Sequence, residues 1–143
     1  MDRIGRVLAE HRELELTLDL LAVLAAAPPN LLPLVRFRRL LAHETRRAQE
    51  ALKAHFRFEE EGGYMVEISR ARPMLTPKLV ELKEQHACIL RALDEVQDEL
   101  NVAIDPLQQT RELSDVARVI RRHEEEENSL CQLALMQDVG VGG

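Results

Sequence analysis

Aromatic residues make up only 3% of the sequence and tryptophan is absent. That is a poor composition for a sheet protein, whose strands draw on aromatic and β-branched side chains. Cysteine occurs twice, at Cys88 and Cys131, with no C-x-x-C pair. Two thiols in a chain of this length make no disulfide framework, so both are read as reduced core thiols in a cytoplasmic protein. Basic charge does not predominate. The net charge of -6 argues against a general nucleic-acid partner, and the local group Arg36, Arg38 and Arg39 reads as a solvated helix face. Long apolar runs are missing too: the longest, from Leu20 to Pro29, is too short for a bilayer and is cut by Pro28 and Pro29, so no membrane partner is expected. The N-terminus opens directly into a charged amphipathic pattern rather than a signal peptide.

Good helix formers fill the space these absences leave. Leu, Ala, Glu and Arg dominate a chain of 143 residues, enough for one domain with a real core. Breakers at Pro28-Pro29-Asn30, at Gly62-Gly63 and from Asn101 to Pro106 divide it into four long pieces, with Pro33 placed to open the second. Each piece repeats apolar residues at three- and four-residue spacing. The first reads Ile4, Val7, His11, Leu14, Leu18, Leu21, Ala25, and the second Leu34, Phe37, Leu41, Thr45, Ala48, Leu52, His55, Glu59. The third reads Leu79, Leu82, His86, Ile89, Leu93, Val96, Leu100, and the fourth Val116, Ile120, His123, Glu127, Leu130, Ala134. The fold expected is all-α, an antiparallel up-down-up-down four-helix bundle with a short extra helix between Gly62 and Pro77. The bundle should span residues 1–137, with 138–143 as a flexible tail.

Ionisable residues interrupt each apolar seam at one level, and burying them is costly unless something satisfies them. In an antiparallel bundle His11, His55, Glu59, His86, His123 and Glu127 all fall toward the Gly62-Gly63 end, provided that the second helix overhangs or begins late. The chain also reads as two related hairpins, each with a lone His on its first helix and H-x-x-x-E on its second. Residues i and i+4 share a helix face one turn apart, so each H-x-x-x-E pair can aim a nitrogen and a carboxylate into one cavity. Four imidazoles and two carboxylates suit two metal ions: two His for each, both carboxylates bridging, and a bridging oxygen species completing the centre. A single tetrahedral zinc needs only four ligands. Imidazole and carboxylate without thiolate favour iron or manganese over a soft metal, with zinc an alternative.

The segment HFRFEEEGGYM from His55 to Met65 and the run HEEEE from His123 to Glu127 resemble the second- and fourth-helix motifs of the hemerythrin-like (HHE cation-binding) family. The resemblance extends from His11 to about Leu135, and its specificity lies in the ordered set H…HxxxE…H…HxxxE. It implies a non-haem di-iron centre, with His11, His55, His86 and His123 as terminal ligands and Glu59 and Glu127 as bridging carboxylates. Oxygen-carrying hemerythrins have a second histidine one turn after that of the third helix and an aspartate on the last helix. Here Leu90 takes the first position and Glu127 stands in for the aspartate, which implies a more symmetric centre. Sensing of oxygen, iron or redox state, or peroxide and oxygen chemistry, then stands beside oxygen storage. The expected partner is dioxygen or another small diatomic or peroxide ligand. No output domain is visible, so a sensor would act through a separate protein.

A lone buried His is more often a hydrogen-bonded core residue than a ligand; it is the joint pattern that points to metal. His43 lies twelve residues before His55, roughly 120° around the helix, and reads as a flank residue. Glu60, Glu61, Glu124, Glu125 and Glu126 are expected in solvent. Glu15, one turn after His11, and Tyr64, near the same end, are candidates to support the centre from outside its ligand set. An oxidase- or peroxidase-like di-iron enzyme and a metal-independent interaction bundle are the other readings. A ferritin-like ferroxidase fits less well, because the positions three before the core histidines hold Leu8, Leu52, Lys83 and Ile120 rather than Glu.

Overall fold

The computed structural model describes residues 9–12, 15, 19, 34–102 and 106–141, with side chains except those of 34–35, 101–102, 106–107, 109–110 and 135–141. Residues 9–12, 15 and 19 are helical. Then come α1 (Leu34–Arg57), a π-helical turn (Phe58–Gly62), α2 (Tyr64–Ala71), a 3-10 turn (Pro73–Leu75), α3 (Thr76–Val102) and α4 (Pro106–Val141). There is no strand among the described residues, and the short extra helix is α2. The first breaker, Pro28-Pro29-Asn30, and most of the first seam lie outside the described residues.

Helix ends follow local chemistry. Pro106 opens α4 at the first helical position, where its missing N–H costs nothing. Arg72 leaves helical geometry at φ -138°, ψ 74°, because Pro73 crowds the residue before it; its N–H still closes on the Ile68 carbonyl at 2.7 Å.

Contacts across the bundle are antiparallel. α1 packs on α3 and α3 on α4. The N-terminal segment meets both α1 and α4, through His55 with Glu10, His11 with Asn128 and Asp19 with Arg121. The seams read from the sequence are buried: Phe37, Leu41, Ala48 and Leu52 of α1, Leu79 to Leu100 of α3, and Ile120, Leu130 and Ala134 of α4. Thr45 enters the α1 seam by giving its hydroxyl proton to the Leu41 carbonyl, 2.7 Å away and one turn back. A second polar link crosses from α1 to α3. Gln49 donates to Asp94 and accepts from Gln97.

The apolar core is divided. A larger cluster holds Phe37, Leu41, Leu52, Phe56, Ile89, Leu93 and Ile120, among others. A smaller one gathers Tyr64, Met65 and Ile68 of α2 with Leu79, Leu82, Leu130, Cys131 and Ala134. Between the two lies a polar layer.

Candidate metal centre

Each of the six side chains singled out by the sequence is buried, and Glu59 and Glu127 are 0% exposed. His11 comes from the N-terminal segment, His55 from α1, Glu59 from the π-helical turn, His86 from α3, and His123 and Glu127 from α4. All six meet in one cavity. They form two overlapping groups, His11-His55-Glu59-Glu127 and Glu59-His86-His123-Glu127, and within each group one donor atom per residue lies within 4.8 Å of the others.

The carboxylates sit between the imidazole pairs. Glu59 Oε1 lies 3.3 Å from His55 Nε2 and 3.5 Å from His86 Nε2, while Glu59 Oε2 lies 3.7 Å from His11 Nε2. Glu127 Oε1 lies 2.5 Å from His123 Nε2 and 2.7 Å from His86 Nε2, and its Oε2 is 3.2 Å from His11 Nε2. Each carboxylate thus reaches imidazoles of both halves.

All four Nε2 atoms face inward, and acceptors fix three of the outward nitrogens. His55 Nδ1 is 2.6 Å from Glu10 Oε2. A carboxylate only accepts, so this nitrogen carries the proton and Nε2 is left with a bare lone pair. His123 Nδ1 is 2.6 Å from Gln85 Oε1. The amide is held that way round because Gln85 Nε2 donates to Glu126 at 2.9 Å. His11 Nδ1 is 2.7 Å from Asn128 Oδ1, and His86 Nδ1 is 3.6 Å from Glu60. Phe56 stacks on the His86 ring with centroids 3.8 Å apart and planes at 11°, closing the cavity toward the larger cluster.

The arrangement fits metal cations. Six buried donors converge, and His55 Nε2, both oxygens of Glu59, His123 Nε2 and Glu127 Oε2 find no hydrogen-bond partner among the described residues. Buried polar atoms left bare on this scale are costly without a compensating charge. Electrostatics carry the same mark. Burial pushes the Glu59 carboxyl well above its usual range, helped by Glu127 beside it. Burial acts on Glu127 in the same sense, but the close approach of Glu59, His11, His123 and His86 outweighs it and holds that carboxyl well below the usual range. His11 is pulled down by burial, yet Glu127 and Glu59 raise it to about 10.

The hemerythrin HHE cation-binding domain model matches residues 2–133. The chain belongs to that family. No curated protein and no solved structure is similar enough to match it. This hemerythrin-like domain therefore combines a helical bundle with His and Glu groups able to hold metal cations. No helix among its described residues is long and apolar enough to cross a membrane.

Other expectations divide. His43 is exposed and Tyr64 is fully buried. Glu15 is exposed; the carboxylate of the N-terminal segment that reaches an imidazole is Glu10. Glu124, expected in solvent, is only 4% exposed. It lies three residues before Glu127 and so shares its inward face, and burial raises its carboxyl to about 7. Cys131 is a core thiol, but Cys88 is exposed: two positions from His86, it points about 200° away around the helix. Glu10, Gln85, Asn128 and Phe56 are additions that the apolar pattern alone does not reveal. Their positions carry a signal nonetheless. Glu10 and Gln85 each precede a lone His, while Glu60 and Asn128 each follow the Glu of an H-x-x-x-E.

Proposed function

We propose that this hemerythrin-like domain is a non-haem di-iron protein that binds or senses dioxygen or a related small molecule, diatomic or peroxide. His11 and His55 hold one iron, His86 and His123 the other, and Glu59 and Glu127 bridge them. A bridging oxygen species completes the pair. What carries the reading is the four Nε2 atoms aimed at two shared carboxylates, with three of the outward nitrogens already hydrogen-bonded, as is usual for metal-ligating imidazoles. Iron supplies the capacity to bind or reduce oxygen species, while the protein supplies ligand geometry and a dry surround. The two free thiols support a cytoplasmic location.

Iron-loaded, air-exposed protein is expected to contain about two irons per chain and to show an oxo-to-iron charge-transfer band. H55A and E127A should each lose iron. Iron-replete protein with neither the metal nor the band would remove the proposal.

A peroxidase-like activity is the second reading, and Tyr64 is the observation that favours it. Its hydroxyl is buried beside Glu127 and Glu59, with no hydrogen-bond partner among the described residues. Burial, with those two carboxylates nearby, pushes its pKa up, so the phenol keeps a proton that it can donate into the cavity. Turnover of peroxide with a reductant, lowered in Y64F at unchanged iron content, is the expected result; activity no higher than that of free iron would leave binding or sensing alone.

A further inference from the structure

The ligand set is the same in both halves, but the side chains behind it are not. The residue before each lone His supports the other imidazole of its own group: Glu10 for His55 at 2.6 Å and Gln85 for His123 at 2.6 Å. The residue after each ligand Glu faces a lone His: Asn128 for His11 at 2.7 Å and Glu60 for His86 at 3.6 Å. The positions obey the pseudo-two-fold and the chemistry does not. At equal distance, one H-x-x-x-E histidine leans on a carboxylate and the other on an amide.

A carboxylate draws the Nδ1 proton more strongly than an amide oxygen does, in a charge-assisted bond about twice as strong as a neutral one. The shift of electron density makes the far nitrogen a better donor. The lone histidines add to the difference. His11 Nδ1 has a hydrogen bond to Asn128, whereas His86 Nδ1 lies beyond hydrogen-bond reach of Glu60 and has no such partner among the described residues. The pair His11-His55 therefore has both rings pinned, one by a charge. In the pair His86-His123 only His123 is pinned, and by a neutral group.

From this we infer that the two metal positions are inequivalent despite their matching ligands: the His11-His55 position takes a divalent cation first and holds it more tightly, with Glu10 as the positioning residue responsible. The inference rests on the two-metal reading above. It gives the domain a half-loaded state with a defined vacancy at His86-His123, beside the groove of about 440 Å³ between α3 and α4 that His123, Gln85 and Cys88 line.

Cobalt(II) titration of the metal-free full chain, followed through ligand-field absorption, tests it without any activity. The wild type is expected to fill in two resolved steps. E10Q should weaken the tighter step about tenfold, the lower end for loss of a residue supporting a ligand. Q85E combined with E126Q, which keeps a donor-acceptor pair between those side chains in reversed sense, should instead tighten the looser step. If two cobalt ions bind but neither change moves its step, or E10Q weakens both equally, the inequivalence is overturned while the metal centre stands. Wild type that binds no cobalt overturns both.

Discussion

Glu59 and Glu127 share the buried layer, and His11 lies against both. Without metal, charge is reduced by protonation: Glu59 is pushed toward its neutral form, and His11, raised to about 10, holds a proton at neutral pH. Cations and these protons compete for the same lone pairs, so metal uptake near pH 7 is expected to release protons. The stability consequence has a definite sign. His11 is raised in the folded state, so its contribution to the metal-free fold is complete below pH 6.5 and is lost as pH climbs toward about 10. A ligated His11 has no such proton to lose. The gap in Tm between metal-loaded and metal-free protein should therefore widen from pH 6.5 to pH 9. A gap that stays constant or narrows over that range would contradict this account of His11.

At the scale of elements, the turn bearing Glu59 is tightly constrained where it ends. The π-helical segment Phe58–Gly62 runs straight into α2, and Gly63 marks the junction. A Cβ on Gly63 would lie 2.5 Å from the Phe58 carbonyl oxygen and 2.9 Å from the Glu59 Cα, whereas one on Gly62 would meet nothing within 4 Å. G63A must push the Glu59 backbone aside, at a cost of about 1–3 kcal/mol and with loss of metal affinity. G62A should stay within about 0.5 kcal/mol of the wild type and bind metal normally. Chemical denaturation and metal titration of the two variants check this; equal behaviour would mean that the junction does not constrain Glu59. Gly62-Gly63 reads in the sequence as a break between helices, and the short helix after it was legible. The π-helical register was not, because it depends on how α1 must turn to place Glu59 against α3 and α4. Likewise, three- and four-residue spacing exposed the seams and the six polar residues that interrupt them. It could not expose Glu10, Gln85 or Asn128, which sit about 100° off the seam and matter only once another helix brings an imidazole to them. Glu124 was misjudged for a related reason. With Glu127 read as facing inward, Glu124 to Glu126 look solvated as a block, yet Glu124 stands nearly one turn before Glu127 and shares its face.

For the molecule as a whole, the polar layer joins two unequal apolar clusters. The smaller, built on Tyr64, Met65 and Ile68 with Leu79, Leu82 and Leu130, is tied to the larger through that layer and the continuous helices α3 and α4. With the proposed metal held there, ligands from both sides would make the layer a joint, whereas without metal it is a stack of poorly satisfied groups. Removing metal should therefore release the smaller end first. Amide hydrogen exchange in α2 and the first turns of α3 should accelerate more than in the stretch of α1 around Leu41 to Leu52. Uniform acceleration along the chain would show one cooperative unit and refute a local joint. Far from that joint, the Gln49 link to Asp94 and Gln97 has its own consequence. Roughly 15 Å of helix separates Gln49 from Glu59, and a slip of α1 by one turn would carry Glu59 about 5.4 Å along the axis, away from the His86 nitrogen now 3.5 Å distant. Three ordinary amide and acid side chains, touching no ligand, thus serve as a gauge block that keeps the two halves of the centre in step.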